Sequence, residues 1–184
     1  MIIQTARLHI RSFSEEDFSS FYSLLSDKRA MRYTLWDALQ SERDARRLFG
    51  MLREADIAAG KPGELGLAVT QRETGSFVGI GIIDLIVYSK SGGCAEIGYI
   101  LHPDHWGKGY ATELAKALVD CCFTDLGLHK VIACCNANNT ASEHVMQKLG
   151  MEIEGRFRQM RFKHGRWDDE LRYTLLSEEF ISNE

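Results

Sequence analysis

In the run His105-Trp106-Gly107-Lys108-Gly109-Tyr110-Ala111-Thr112, two glycines bracket a lysine between the strand-like Glu96-Ile97-Gly98-Tyr99-Ile100-Leu101 and a stretch of helical spacing. A glycine turn at the start of a helix is a ready anion site. The glycines let the main chain turn tightly and approach a ligand, while unpaired N–H groups and the positive end of the helix dipole face it. The expected ligand is therefore phosphorylated. A metal is not expected: His102 and His105 flank Pro103 in what should be a loop, and no recognisable ligand set surrounds them. The five cysteines, Cys94, Cys121, Cys122, Cys134 and Cys135, include two adjacent pairs that match no ligand spacing and make a poor disulfide framework. They read as reduced core residues.

Such a turn needs a strand before it and a helix behind it. Ala111, Leu114, Ala115, Leu118 and Cys122 recur at helical spacing, and Gly127 closes the helix before a strand from His129 to Asn136. A helix crossing between two strands implies that they lie parallel. Upstream, Leu65 to Gln71, Phe77 to Val87 and Ala95 to Leu101 form an antiparallel meander, with turns at Glu73-Thr74-Gly75 and Ser91-Gly92-Gly93. Gly79 and Gly81 interrupt its middle strand, where either a close backbone or ligand approach or a plain bulge would explain them. Ile3 to Phe13 alternates as a strand, and Ser14 with Asp17 marks a helix start that puts Phe18, Phe21, Tyr22 and Leu25 on one face. Ser41 with Asp44 starts a second helix bearing Ala45, Leu48, Phe49 and Leu52, ended by Gly60, Pro62 and Gly63. Between these helices, around Tyr33 and Trp36, the sequence has no period. The chain closes with a short helix that turns Val145, Met146 and Leu149 inward and stops at Gly150. Two strands follow, Ile153 to Phe162 and Trp167 to Leu176, joined at Lys163-His164-Gly165-Arg166.

At 184 residues, with 45% hydrophobic residues and 16 glycines against 2 prolines, the chain can bury one core, and no linker or repeat begins a second. One domain over residues 1–184 is the expectation. The net charge of -4, from 26 acidic and 22 basic residues without a basic block, argues against direct nucleic-acid binding and suits a cationic or amine-bearing partner. No apolar run approaches the roughly 18 residues of a membrane span, and no leader pattern opens the chain, so it reads as cytoplasmic, without a membrane partner.

The order of strand, two helices, three antiparallel strands, glycine turn, helix, strand, helix and final hairpin resembles the GCN5-related N-acetyltransferase (GNAT) family. That family's pyrophosphate loop has Gln or Arg, two residues, Gly, one residue, then Gly or Ala. Here Trp106-Gly107-Lys108-Gly109-Tyr110-Ala111 matches it except that Trp106 replaces the Gln or Arg, a variation associated with the RimJ/RimL-like branch of ribosomal-protein N-terminal acetyltransferases. Glu96-Ile97-Gly98-Tyr99, Asn139-Thr140-Ala141-Ser142, Lys148-Leu149-Gly150-Met151 and Gly165-Arg166-Trp167-Asp168-Asp169-Glu170 also look like that branch, and the likeness spans about residues 3 to 178. It implies an α+β, three-layer GNAT fold: a mixed, mostly antiparallel sheet of six to seven strands, about four flanking helices, and splayed central parallel strands.

The resemblance implies acetyl-CoA as co-substrate. Main-chain N–H groups from Gly107 to Thr112, with Trp106, Lys108, Tyr110 and Ala111 in the same loop, would surround its pyrophosphate, and the pantetheine arm would bond the main chain near Ile100 and Leu101 and to Asn139. Acetyl transfer to an amine needs a base, a polarised carbonyl and a proton for the leaving thiolate. Glu96 is the candidate base, directly or through a water, with an outward charge on an alternating strand as the equal alternative. His102 is a lesser candidate. Many family members carry a tyrosine as acid where this chain has Met146, which cannot donate a proton. One helical turn earlier stands Ser142, given the acid role in the RimL-like branch; it could equally cap the last helix, although Asn139 is better placed for that. Met151, where the family usually has Phe, is a packing change. Tyr33, Thr34 and Trp36 are expected on the acceptor wall, whereas Trp167 is expected in the core.

An N-terminal amine, with a pKa of roughly 8 against about 10.4 for lysine, needs less help from a base. That suits the RimJ/RimL-like resemblance, which makes a protein N-terminus the leading acceptor, although the branch also includes enzymes acting on small amines and the sequence itself does not choose between them. A small amine such as a polyamine, amino acid or antibiotic is the alternative within the same fold, and a non-catalytic acyl-CoA sensor is the third reading. Either a monomer or a homodimer is compatible with the chain.

Overall fold

A computed structural model describes residues 2–54, 63–89 and 92–180. The elements run β1 (Ile2–Gln4), β2 (Leu8–Ser12), α1 (Phe18–Ser26), α2 (Glu42–Glu54), β3 (Gly63–Gln71), β4 (Phe77–Ser89), β5 (Gly92–Leu101), α3 (Tyr110–Thr124), β6 (Lys130–Asn136), α4 (Thr140–Lys148), β7 (Glu152–Lys163) and β8 (Arg166–Leu176). Gly60, Pro62 and Ser91, expected in turns, lie outside the described residues.

Among the described residues all strands join one sheet of eight in the order β1-β2-β3-β4-β5-β6-β8-β7. Every neighbouring pair is antiparallel except β5 and β6. The sheet has one strand more than the upper expectation because the alternating stretch from Ile3 to Phe13 is a hairpin rather than one strand. Its turn is closed at Thr5, whose N–H donates to the Leu8 carbonyl and whose Oγ1 accepts from the Leu8 N–H at 2.9 Å. Ile3, Leu8 and Ile10 all pack on the same cluster, so the apolar pattern reads straight through the reversal.

Two apolar clusters cover the two faces. One gathers Leu114, Ala115, Leu118 and Cys122 of α3 with Val145 and Met146 of α4 against Ile97, Val131, Ala133, Leu171 and Tyr173. The other is aromatic: Phe49 of α2 lies 5.0–5.4 Å, centroid to centroid, from Phe13, Phe18 and Phe21. The start of α1 is fixed as the sequence indicates, since Ser14 N donates to Asp17 Oδ2 at 2.7 Å and Arg11 pairs with the same carboxylate at 2.6 Å.

Both readings of Gly79 hold. The β3–β4 register slips beside it, and a Cβ there would sit 2.3 Å from the Ile100 carbonyl oxygen, so only glycine lets the end of β5 come this close. At Gly81 a Cβ would touch Leu114 and Leu118, which use that space to seat α3.

Candidate active site

The parallel pair is short. Cys94, Ala95 and Glu96 of β5 pair with Lys130, Val131 and Ile132, and there the ladder ends. Beyond it β5 stays paired with β4 as far as Leu101, and β6 with β8 as far as Asn136. The facing edges of Ile97–Leu101 and Ala133–Asn136 thus open a wedge of unladdered main chain, with Glu96 at its vertex. An extended, amide-bearing ligand can lie in such a wedge as an extra strand.

Past Leu101 the chain makes a 3-10 turn at Pro103–His105 and enters the glycine loop. His102 Nδ1 accepts from the Asp104 N–H at 3.4 Å, so this ring caps the turn rather than standing free as a base. Trp106 donates from Nε1 to the Leu101 carbonyl at 2.9 Å and keeps half its surface exposed, tying the loop to the end of β5. Gly107 (φ 71) and Gly109 (φ 78) are both left-handed, a conformation that costs other residues dearly. Gly109 is the N-cap of α3 and has no side chain to offer, which leaves the first N–H groups of the helix to a ligand. Ala111 and Thr112, half-buried in that first turn, supply two of them. The Tyr110 ring is buried and its hydroxyl accepts from Gln71 Nε2 at 2.7 Å, so only its main chain serves the turn. Lys108 donates its ammonium to the Asp104 carbonyl at 2.8 Å, which leaves the anion site largely to the backbone.

Strand alternation divides the wedge chemically. Ile97, Tyr99 and Leu101 belong to the α3–α4 face, whereas Ile100 packs with α1 and α2, and Glu96 shares its side. On the α3–α4 face, Asn139 caps α4, accepting from Ser142 N at 3.3 Å, and Ser142 Oγ shares a 3.3 Å hydrogen bond with the Tyr99 hydroxyl. Tyr99 is the residue that sequence reasoning missed, although it stands three positions after Glu96. Its alternating position on β5 was the available signal. Burial pushes its phenol pKa up, so the hydroxyl keeps its proton. Met146 and Met151 are buried packing residues.

On the opposite face Glu96 is half-buried, and burial followed by the nearby Glu170 carboxylate raises its pKa, against the Cys134 thiol hydrogen bond and the charges of Arg161 and Arg172. Glu170 is 6% exposed and held by Arg161, whose Nε donates at 2.9 Å. Asn136 Nδ2 donates to Asp168 at 3.0 Å beside them. The Cys134 thiol is pushed up to about 12, by burial first and then by Glu96 and Glu170, so it stays protonated near neutrality. Cys94 and Cys134 are half-buried and the other three cysteines buried, so the expectation of core cysteines holds only for those three.

The outer wall of this face comes from two segments. Residues 27–41, the unpatterned connection from α1 to α2, meet the β7–β8 hairpin through Lys163, whose buried ammonium donates to the carbonyls of Met31 (2.6 Å), Thr34 (2.8 Å) and Trp36 and to Thr34 Oγ1 (3.2 Å). Tyr33 is half-buried under Arg32, and Trp36 is 48% exposed. Trp167 is not a core residue: it is 56% exposed and packs on Phe162 at 5.0 Å, because β7 is the sheet edge and nothing among the described residues covers the hairpin tip. A bulge in β7 between Phe157 and Arg161, with Gln159 at φ 51, is pinned by Asp169, which accepts from Gln159 N and Arg156.

A groove of about 350 Å³ between β1 and α3, lined by Ile3, Thr5, Glu113, Lys116 and Asp120 among others, includes none of the donor-loop or wedge residues. Among the described residues no three His, Cys, Asp or Glu side chains converge as a metal site, and no helix is long and apolar enough to cross a membrane.

Comparison with known proteins places these features in company. The profile of the acetyltransferase (GNAT) domain matches residues 7–152. The chain is 34% identical over 181 residues to YnaD, an uncharacterized N-acetyltransferase of Bacillus subtilis (strain 168), covering 98% of this chain and 99% of that one. It is 31% identical over 103 residues to the spermidine N(1)-acetyltransferase of Vibrio cholerae, covering 56% of this chain and 60% of that one. Among solved structures, a GNAT-family acetyltransferase from Bacillus anthracis superposes with a TM-score of 0.83 at 31% identity, over 97% of this chain and all of that one (100%). The Vibrio cholerae spermidine N-acetyltransferase solved with CoA and spermine shares the fold, with a TM-score of 0.82 at 23% identity over 95% and 98% of the two chains.

Proposed function

This chain belongs to the GNAT family and is an N-acetyltransferase, and we propose that it moves the acetyl group of acetyl-CoA directly onto the N-terminal α-amine of a polypeptide, as in the RimJ/RimL-like branch. Acetyl-CoA supplies the activated acyl group and a thiolate leaving group. The glycine loop fits its pyrophosphate: two left-handed glycines and a helix start without a capping side chain offer N–H groups and partial positive charge. The wedge beyond Glu96 fits the amide arm, and Asn139, at the mouth of that wedge, keeps amide protons to donate.

Each proton has a carrier. Glu96, with its raised pKa, takes a proton from the amine as the C–N bond forms, directly or through a water. Ser142 gives a proton to the departing sulfur as the C–S bond breaks and regains one from solvent, while Tyr99, whose phenol stays protonated, hydrogen-bonds the serine oxygen. Cys134, whose thiol hydrogen-bonds Glu96, is held protonated, which speaks against an acetyl-cysteine intermediate and for a ternary complex.

The polypeptide reading rests on one observation. The connection that walls the acceptor face, tied to Lys163 through the Trp36 carbonyl, exposes the apolar side chains of Leu35 and Trp36, which residues following an N-terminal amine can cover. The rival acceptor, a small polyamine or other amine, draws support from the spermidine N(1)-acetyltransferase likeness. Thiol release with acetyl-CoA and either short peptides bearing free N-termini or a panel including spermidine decides between them. Peptide turnover is expected; turnover of small amines alone would remove the polypeptide reading. A cytoplasmic enzyme, as monomer or homodimer, completes the proposal.

A further inference from the structure

Arg7 lies in the β1–β2 turn, far from the donor loop in sequence, and three contacts join them. Its Nη1 donates to the Lys108 carbonyl at 2.9 Å, its Nε donates to Glu113 Oε2 at 2.7 Å, and its guanidinium lies 4.7 Å from the centre of the Tyr110 ring. Glu113, in the first turn of α3, is itself held by the Arg7 N–H at 2.8 Å and by Thr5 Oγ1. Arg7 therefore reaches the middle residue of the glycine loop while being anchored to the helix that the loop begins.

The Lys108–Gly109 peptide is planar and trans, so its carbonyl and its N–H point in opposite directions. Holding the Lys108 oxygen turns the Gly109 N–H away from Arg7. A flip of this peptide turns ψ of Lys108 and φ of Gly109, and glycine at 109 leaves the second of these unrestricted, so the hold on the Lys108 oxygen is what fixes the peptide's orientation. We infer that Arg7 is a positioning residue for donor binding: through the Lys108 carbonyl it fixes the Gly109 N–H in the orientation that receives the pyrophosphate, with Glu113 as its anchor. This rests on the donor reading above and adds to it the part of the chain that sets the loop's shape.

The test separates positioning from plain charge attraction. CoA and 3′-dephospho-CoA are titrated calorimetrically into the wild type, Arg7→Ala and Glu113→Gln. Arg7→Ala is expected to weaken both ligands about tenfold, the worth of one charge-assisted hydrogen bond, with KM for the amine and kcat at saturating acetyl-CoA within about twofold of wild type. Glu113→Gln should weaken CoA in the same direction by a few-fold, because it loosens the anchor. If Arg7 merely attracted phosphate, removing the Glu113 charge would tighten CoA, and that result would overturn the inference. So would an Arg7→Ala that binds CoA like the wild type, or one that loses affinity for CoA but not for 3′-dephospho-CoA. Should Arg7→Ala fail to fold, the sign of the Glu113→Gln change still decides. A wild type that binds neither ligand would remove the donor assignment itself.

Discussion

The donor side and the acceptor side of the sheet differ in the atoms that form them. The donor side is main chain: two left-handed glycines, the bare start of α3, and the edges of β5 and β6 past the point where their ladder ends. The acceptor side is side chain: Glu96, Cys134, Arg161, Asp168, Glu170 and Arg172 packed against one another, with the wall between residues 27–41 and the hairpin held by Lys163. A backbone cradle depends on glycine and helix geometry, which vary little with the surrounding side chains. A side-chain cleft can change its lining one substitution at a time without disturbing the fold. The contrast fits a family that shares a donor and differs in acceptors.

If this division is correct, substitutions should sort by side. The largest effect is expected at Glu96→Gln, which keeps shape and removes the base: kcat/KM should fall by about 100- to 1,000-fold. Next comes Ser142→Ala, with a loss of about tenfold in kcat measured at saturating acetyl-CoA and Tyr99→Phe losing less, since Tyr99 acts through Ser142. A large loss of acetyl-CoA affinity with intact turnover in Ser142→Ala would make this serine a donor-binding residue. Lys163→Met should raise KM for the amine by a few-fold and leave KM for acetyl-CoA unchanged, because it releases the acceptor wall from its carbonyl ligands. Equal changes in both constants would show that the two sides are not independent.

The smallest effect is a shift in pH. A base must be ionised to act, so kcat/KM should rise with pH through the Glu96 pKa, which burial and Glu170 hold above its ordinary 4.5. Glu170→Gln removes that neighbouring negative charge and frees Arg161, and both changes favour the ionised Glu96. The acid limb should therefore move to lower pH, and a limb that stays in place would mean that Glu96 is not the group reported.

These two sides were not equally legible in the sequence. The glycine turn, the helix behind it and the Asn139 cap follow from local spacing, because each depends on residues within a few positions of one another. Glu96 could be named but not aimed, since its surroundings come from β6, which a long crossover brings beside β5, and from the β7–β8 hairpin beyond it. Tyr99 stood in view yet gained meaning only from α4, 43 residues on, where Ser142 meets its hydroxyl. Lys163, with partners 127 to 132 residues away, had no local signal at all. Trp167 was misplaced because large aromatics usually pack inside, and a sheet edge cannot be read from a single strand. The hairpin at Thr5 was missed because its apolar side chains keep one face through the turn.

The separation of the two sides is tested most directly by titrating acetyl-CoA into Glu96→Gln. The dissociation constant should stay within about twofold of wild type while turnover is lost, since the proposed donor ligands, the loop and wedge main chain with Asn139, do not include the Glu96 carboxylate. An affinity loss comparable to the loss of turnover would contradict it and make Glu96 part of the donor site.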